Sequence, residues 1–144
     1  MWKIISAFSV PGKPFGKQRP RHMRNGHTYT PKETTEYENL VKLFYSQSMH
    51  PKEPTDKAVK MVLVAKFPIP ASWSKKKQRE VIEKIIPYTS KSDIDNCLKI
   101  VMDALNGIAY KDDAQISEAV VAKVYSTTPC MSVVLREWDD EEES

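Results

Sequence analysis

Five aspartates are crowded into residues 91–116, where most other positions are apolar: Asp93, Asp95, Asp103, Asp112 and Asp113. Like charges held close together cost electrostatic energy, which a hard divalent cation with oxygen ligands removes. Mg²⁺ suits such a cluster best, because it needs few carboxylates, keeps water ligands and takes further oxygens from a phosphate. The stretch therefore predicts a Mg²⁺-dependent enzyme site, and we expect Mn²⁺ to substitute.

A helix over residues 93–106 is predicted by apolar residues spaced as one buried face: Ile94, Cys97, Leu98, Val101, Met102 and Leu105. Successive helical residues rotate by about 100°, so two aspartates two positions apart would diverge if both were helical. They converge if Asp93 lies in extended chain just before the helix and Asp95 lies in its first turn. Ser92 or Asp93 is then the N-cap, and Asn106-Gly107 ends the helix.

A purely structural explanation exists for part of this pattern. Asp95, Lys99 and Asp103 are four residues apart, as in two helical ion pairs. That explanation accounts for Lys99 and Asp103, which we expect to pair, but it does not account for Asp93.

The second acidic pair, Asp112-Asp113, immediately precedes a strand-like run over residues 116–125. A chain that leaves a helix and returns antiparallel to it can bring a carboxylate back to the N-terminal end of that helix. We therefore expect this pair to join the first one around the same metal ion.

Three motifs in this stretch resemble those of the RusA-type Holliday junction resolvases, endodeoxyribonucleases of bacteria and their prophages: D-I-D-N-x-x-K, D-A-L-N-G and D-D-A-Q-I. The resemblance implies that Asp93, Asp95 and Asp113 bind the metal and that Lys99 is a catalytic basic residue. Asp112 corresponds to a neighbouring acid of lesser importance. The resemblance also implies a homodimer that cuts four-way DNA junctions symmetrically, in recombination and repair.

The distribution of charge favours a polyanionic partner. The formal charge of +3 includes five acids in residues 139–143, and without them 22 basic and 14 acidic side chains leave +8. A basic body around an acidic cluster is typical of a protein that brings nucleic acid to a metal site. We expect residues 1–137 to form one domain and residues 138–144 to be a disordered acidic tail.

Residues 12–30 are predicted to form a basic loop, since they include no acid and few apolar side chains. A solvated, mobile surface is the ordinary explanation of such a charge run. Beside a nuclease site, phosphate contacts become the better one. We therefore predict DNA contacts from five residues of this loop and from one residue before the helix: Lys13, Lys17, Arg19, Arg21, Arg24 and Lys91.

The remaining pattern predicts a single α+β domain, with helices packed on a small mixed sheet. Strands are expected over 2–10, 58–67, 116–125 and 131–137, and helices over 31–48, 93–106 and from Ser72 or Ser74 to 85. The last two strands are expected to form a hairpin around 127–129.

Several classes are disfavoured. The N-terminal apolar run is too short and interrupted for a signal peptide or membrane span, so we expect a cytoplasmic protein, and the resemblance implies a bacterial or phage origin. The two cysteines, Cys97 and Cys130, have no zinc-ligand spacing and are not expected to form a disulfide. No catalytic role is assigned to histidine, and no organic cofactor is expected.

Two alternatives to the nuclease remain. One is a non-catalytic protein that binds branched DNA, with the aspartates serving only as helix-end and turn residues. The other is a Mg²⁺ phosphatase or nucleotidyl enzyme with a D-x-D motif, although residues 86–92 do not resemble the buried strand that such a motif usually follows.

Overall fold

The computed structural model describes residues 1–19, 21–29 and 31–140, and it adds one short hairpin to the expected order of elements. The strands are β1 (Trp2–Pro11), β2 (Arg21–His22), β3 (Thr28–Tyr29), β4 (Val59–Pro68), β5 (Ile116–Ser126) and β6 (Cys130–Trp138). The helices are α1 (Lys32–Gln47), α2 (Lys75–Glu83) and α3 (Ile94–Leu105), and a 3₁₀ turn, Asp113–Gln115, precedes β5. The predicted α+β class is confirmed.

A mixed four-stranded sheet, in the order β1-β6-β4-β5, forms the base of the domain. β4 pairs in parallel with β5 and antiparallel with β6. Alternate side chains of β4 are fully buried, from Val59 to Phe67, and they face the same core as the buried residues of α1 and α3. The apolar alternation of β4 therefore reflects a central strand with one face in the core.

The predicted hairpin of β5 and β6 is wrong, because β4 lies between them. Ser126 at the end of β5 is opposite Pro68 of β4, and Cys130 at the start of β6 is opposite Lys66. The three connecting residues thus pass over the end of β4, which Pro68 terminates. A short connection indicates a hairpin only when no third strand ends beside it.

The buried face of α3 is rotated from the predicted one. Its buried residues are Cys97, Ile100, Val101, Ala104 and Leu105, whereas the side chain of Ile94 is 46% exposed. The small Cys97 and Ala104 allow α3 to lie close to its neighbours, and α1 packs along it in the same core. Gly107 follows the helix with φ +80°, as expected of a residue that stops it.

The ends of the domain also differ slightly from expectation. β6 runs to Trp138, one residue past the predicted boundary, and its indole contacts that of Trp2 edge-on at 5.4 Å. Residues 141–144 of the predicted acidic tail lie outside the described residues.

Cys97 and Cys130 are free thiols, as expected. None of the helices in the described part of the chain has both the length and the apolarity that crossing a bilayer requires.

Candidate active site

Asp93 is the N-cap of α3, with extended backbone at φ −64° and ψ 145°, and Asp95 lies in the first turn. This confirms the predicted arrangement of the two aspartates at the start of the helix. The Asp93 carboxylate makes no capping hydrogen bond, which is unusual for an aspartate at this position. Both side chains are exposed. The fold therefore puts both aspartates at the start of α3 and leaves their carboxylates accessible.

The charged side chains of the first motif lack side-chain partners. Among the residues that the structure describes, Asp93, Asp95 and Lys99 take part in no side-chain hydrogen bond and no ion pair. Buried polar groups almost always have such partners, but these three side chains are exposed. Their charges are therefore available to a ligand.

Lys123 of β5 holds the segment that leads into α3, and the sequence reasoning missed it. Its ammonium donates to the carbonyl oxygens of Ser90 at 3.2 Å and Ser92 at 2.9 Å. Ser92 has φ +84°, a conformation that costs a non-glycine residue energy. Lys123 therefore stabilises a strained residue directly before Asp93. Its only sequence signal is a lone lysine within the apolar run A-V-V-A-K-V-Y.

The second acidic motif forms a tight, well-anchored turn before β5. The Gln115 side chain accepts a hydrogen bond from the Asp112 amide and donates to the carbonyls of Thr55 and Lys57, each at 2.8 Å. The Asp112 carboxylate in turn accepts from the Ala114 amide at 3.2 Å. Asp112 and Gln115 therefore have structural tasks, and the turn presents Asp113.

Asp113 lies in a negative environment. Its hydrogen bond with the Asp112 carboxyl raises its pKa, and the charges of Asp112 and Asp103 raise it further. Neighbouring negative charges of this kind repel each other, and a bound cation would relieve that repulsion.

The position of Asp113 differs from the expected one at the N-terminal turn of α3. The buried Tyr110 donates to the carbonyl of Met102 at 2.6 Å, which fixes the returning chain to the C-terminal half of the helix. Asp103, the neighbour of Asp113, is about 12 Å along the helix axis from Asp95. The two acidic motifs therefore lie along one helix as two pairs.

Asp103 pairs with Lys17, and the expected pair with Lys99 is wrong. The Lys17 ammonium lies 2.5 Å from Asp103 and 3.2 Å from Glu38 of α1, in a half-buried position. Burial lowers the pKa of Lys17, but its hydrogen bonds to Asp103 and Glu38 and their charges outweigh burial and raise it overall. Lys17 is thus an internal cation between the two helices, and we no longer expect it to contact DNA.

The start of the basic loop is docked on the first turns of α3. The Lys17 amide donates to the carbonyl of Asn96 at 3.0 Å, and a Cβ at Gly16 would lie 3.3 Å from that of Asn96. The rings of Phe15 and Tyr37 are 5.7 Å apart, which joins the loop to α1. The predicted phosphate contacts Lys13, Arg19, Arg24 and Lys91 are exposed, while the side chain of Arg21 lies outside the described part.

No group of three or more His, Cys, Asp or Glu side chains among the described residues could hold a metal ion in these positions. The chemistry of the donors nevertheless fits a hard divalent cation. Asp93 with Asp95, and Asp112 with Asp113, are pairs of carboxylates at accessible positions, and the latter pair shows mutual repulsion.

Comparison with known proteins places these features in one family. The family described as Endodeoxyribonuclease RusA matches residues 11–136. The chain is also 38% identical over 135 residues to the uncharacterised protein YqaN of Bacillus subtilis (strain 168), covering 90% of this chain and 94% of that protein. The match includes both acidic motifs, the basic loop and the strands β4 and β5.

Proposed function

Because the chain belongs to the RusA family of endodeoxyribonucleases, we propose that it hydrolyses phosphodiester bonds in four-way DNA junctions in a Mg²⁺-dependent reaction. We propose that Asp93 and Asp95 at the start of α3, and Asp113 with Asp112 beside its C-terminal half, are the residues that bind divalent metal, and that Lys99 assists the reaction. Mn²⁺ should replace Mg²⁺, since both accept carboxylate and water oxygens.

One observation supports the catalytic proposal best: the Asp93, Asp95 and Lys99 side chains have no structural partner in the described residues. In contrast, Asp103, Asp112 and Gln115 in the same stretch have partners. Asp93, Asp95 and Lys99 therefore have side chains that the described contacts leave available to metal and substrate.

In the reaction, a water oxygen attacks phosphorus, the bond to the leaving sugar oxygen breaks, and that oxygen gains a proton. A bound divalent cation would supply positive charge at the phosphoryl oxygens and lower the pKa of the attacking water. The Lys99 ammonium, one turn after Asp95, can orient that water or stabilise charge that develops on the phosphate. Lys123 fixes the backbone before Asp93 and so sets where the D-x-D carboxylates lie.

Positively charged side chains near this site would attract the DNA backbone. Lys13, Arg19, Arg24 and Lys91 are exposed cations that can contact phosphates without reading base sequence. Three of them belong to the loop whose start, around Gly16 and Lys17, is docked on α3. Arg21 completes the proposed set.

A homodimer is part of the proposal, because two symmetric cuts in a junction need two active sites. β1 and β5 are the outer strands of the sheet, and the segment around Tyr88 already pairs with β5 near Lys123, so we propose the β1 edge for a second copy. We further propose that the enzyme acts in the cytoplasm, in DNA recombination and repair.

The test is incubation of the full chain with a labelled four-way junction and with a linear duplex of matched sequence, in Mg²⁺, Mn²⁺ or EDTA. We expect paired cuts in the junction, intact duplex, and no cutting in EDTA. Light scattering of the same sample should give the mass of a dimer. Cutting in EDTA would contradict metal dependence, and equal cutting of the duplex would contradict selectivity for branched DNA.

A non-catalytic protein that binds branched DNA is the second candidate. It is favoured by one observation, the lack of a three-carboxylate group among the described side chains. If the junction is bound tightly but stays intact in both Mg²⁺ and Mn²⁺, this second function replaces the first.

A further inference from the structure

A cleft of about 380 Å³ opens between α2, the segment that follows it and the end of β5. Trp73 and Tyr125 supply its aromatic surface, with apolar contributions from Val81, Ile86 and Pro87. This volume lies within the range of roughly 300–1,000 Å³ that is usual for small-ligand sites. None of the residues discussed above as catalytic lines it.

The aromatic surface of the cleft is built on the core. The Tyr88 ring stacks on the buried Phe67 at 3.9 Å, Tyr125 packs edge-on against Tyr88 at 5.1 Å, and Trp73 lies 5.2 Å from Tyr125. The Trp73 backbone is held too, because its carbonyl accepts from the Gln78 side chain at 2.8 Å. A row of rings that begins in the core gives the half-buried Trp73 a rigid support.

Two charged side chains line the cleft, Lys77 and Glu80, and the basic first turn of α2 beside them favours an anionic ligand. The Lys77 ammonium lies over the Trp73 ring, 3.9 Å from its centroid, which is within cation–π range. The first turn of α2 has no acidic residue and contains Lys75, Lys76 and Lys77. A π surface beside an ammonium matches a nucleotide, whose base stacks and whose phosphate carries negative charge.

A second cleft, on the other side of α2, does not have this chemistry. It is larger, about 640 Å³, and is lined by Ile69, Thr127 and residues of α2, none of them aromatic in the described part of the chain. It therefore offers no stacking surface.

The aromatic cleft is close to the D-x-D motif. Thr89 lines it, and four residues of chain, at most about 14 Å, separate Thr89 from Asp93. Lys123 joins the two sites, since it contacts Ser90 and Ser92 and its ammonium lies 5.5 Å from the centroid of the Tyr88 ring. About 14 Å corresponds to about four nucleotides of stacked strand.

We propose that this cleft binds a nucleobase unstacked at the branch point, with Trp73 as the stacking platform and Lys77 as the contact to the adjoining phosphate. The proposal rests on the proposed function, because it concerns how that enzyme recognises its substrate. A base at a branch point has lost part of its stack, so extruding it costs less than extruding one from a continuous duplex. The cleft would thereby favour junctions over linear DNA without reading sequence.

Affinity measurements test this directly, in EDTA so that the DNA stays intact. Trp73→Leu should weaken binding of a four-way junction about tenfold, within the range for loss of one base–aromatic stack, and should leave duplex binding unchanged within about twofold. Trp73→Tyr should retain most of the junction affinity. Trp138→Leu is the matched control, because it removes a partly exposed indole at the end of β6. It should change neither affinity.

A fluorescence experiment keeps Trp73 intact and so does not depend on how that variant folds. Trp2→Phe with Trp138→Phe leaves Trp73 as the single tryptophan. Saturating junction should quench its emission strongly, and saturating duplex should quench it weakly, because only an unstacked base reaches the indole.

Equal quenching by the two DNAs, or equal losses of both affinities in Trp73→Leu, would overturn the proposal. Unchanged junction affinity would also overturn it and leave the cleft to a protein partner. Cleavage by the wild type, assayed in parallel, separates this result from the proposed function. If the wild type cuts junctions and Trp73→Leu binds them normally, then only the base-binding cleft is wrong.

Discussion

Lys17 and Asp103 form an ion pair of 2.5 Å, which connects the basic loop to the last turn of the helix that bears the D-x-D motif. Glu38 of α1 shares the same ammonium at 3.2 Å. Lys17, which the sequence predicted to contact DNA, therefore stabilises the contact between the loop and the two helices instead. The ion pair and the contact of Lys17 with Asn96 therefore hold the start of the loop against α3.

This pair should be measurable in a double-mutant cycle with Lys17→Met and Asp103→Asn. We expect a coupling free energy of about 1 kcal/mol, since both side chains are only partly exposed. The net pKa of Lys17 is raised, so the stabilisation should be complete below its unfolded value of 10.5 and should decline as pH rises through the folded pKa. Urea unfolding at neutral and strongly alkaline pH measures both effects. A coupling of zero would show that the pair is incidental.

Salt dependence of DNA binding should separate Lys17 from its neighbours. Neutralising Lys13, Arg19 and Arg24 should reduce the slope of log K against log salt concentration by up to about 0.9 for each residue, because each phosphate contact releases counterions. Lys17→Met should leave the slope unchanged, since its ammonium is already paired. The reverse result would return Lys17 to the DNA interface.

Asp113→Asn should raise the melting temperature at neutral pH while it abolishes cleavage. The pKa of Asp113 is raised by its hydrogen bond with Asp112 and by nearby negative charge. Such a carboxyl stabilises the fold while it is protonated and loses that contribution as pH rises through its folded pKa, so its repulsion is present at neutral pH. Thermal melts should show the difference shrinking in acid.

Mg²⁺ gives a second readout of the same residue. Added Mg²⁺ should raise the melting temperature of the wild type and should have a smaller effect on Asp113→Asn, because a bound ion stabilises only the folded state that holds it. Glu36→Gln, a change of an exposed acid on α1, is the control and should respond like the wild type. Equal responses of all three proteins would remove Asp113 from the metal site.

Lys123→Met tests a residue that acts through its neighbours. Loss of the contacts to Ser90 and Ser92 should let Asp93 shift, and misplacement on the order of 1 Å lowers catalysis by about 100-fold. The fall should appear in kcat with little change in KM, and Lys123→Arg should restore part of it. Lys111→Met, at an exposed position, is the control. An equal rise in KM would instead make Lys123 a DNA contact.

Much of the fold could be predicted because local patterns determined it. The alternation in β4, the serine cap of α2 and the placement of Asp93 before α3 all depend on neighbouring residues. The hairpin of β5 and β6 was wrong because strand order depends on where β4 inserts, which no local pattern records.

The candidate site was predictable in its residue types and less so in its contacts. Helical spacing predicted that Asp103 pairs with Lys99, but in the structure it pairs with Lys17, a residue of a loop distant in the sequence. Lys123 was missed because its task is to hold backbone carbonyls, and these leave no trace in side-chain patterns. Contacts between residues far apart in the sequence were therefore harder to predict than the motifs.

The central assignment is tested by Asp93→Asn and Asp95→Asn, which keep side-chain volume but remove a negative charge and a strong metal ligand. Cleavage of the junction should fall by at least about 100-fold, as expected on loss of a major electrostatic contribution to the transition state. Junction binding in EDTA should hold or tighten, because these carboxylates repel the phosphates when no cation lies between them. Melting temperatures should not fall, since neither side chain has a partner in the described residues.

Asp103→Asn supplies the matched contrast on the same helix. It removes the partner of Lys17, so it should lower the melting temperature and reduce cleavage much less than Asp95→Asn does. The two aspartates would then show opposite profiles, one catalytic and one structural. If Asp95→Asn loses binding, cleavage and thermal stability together, the row of charges along α3 is structural and the proposed metal site is wrong.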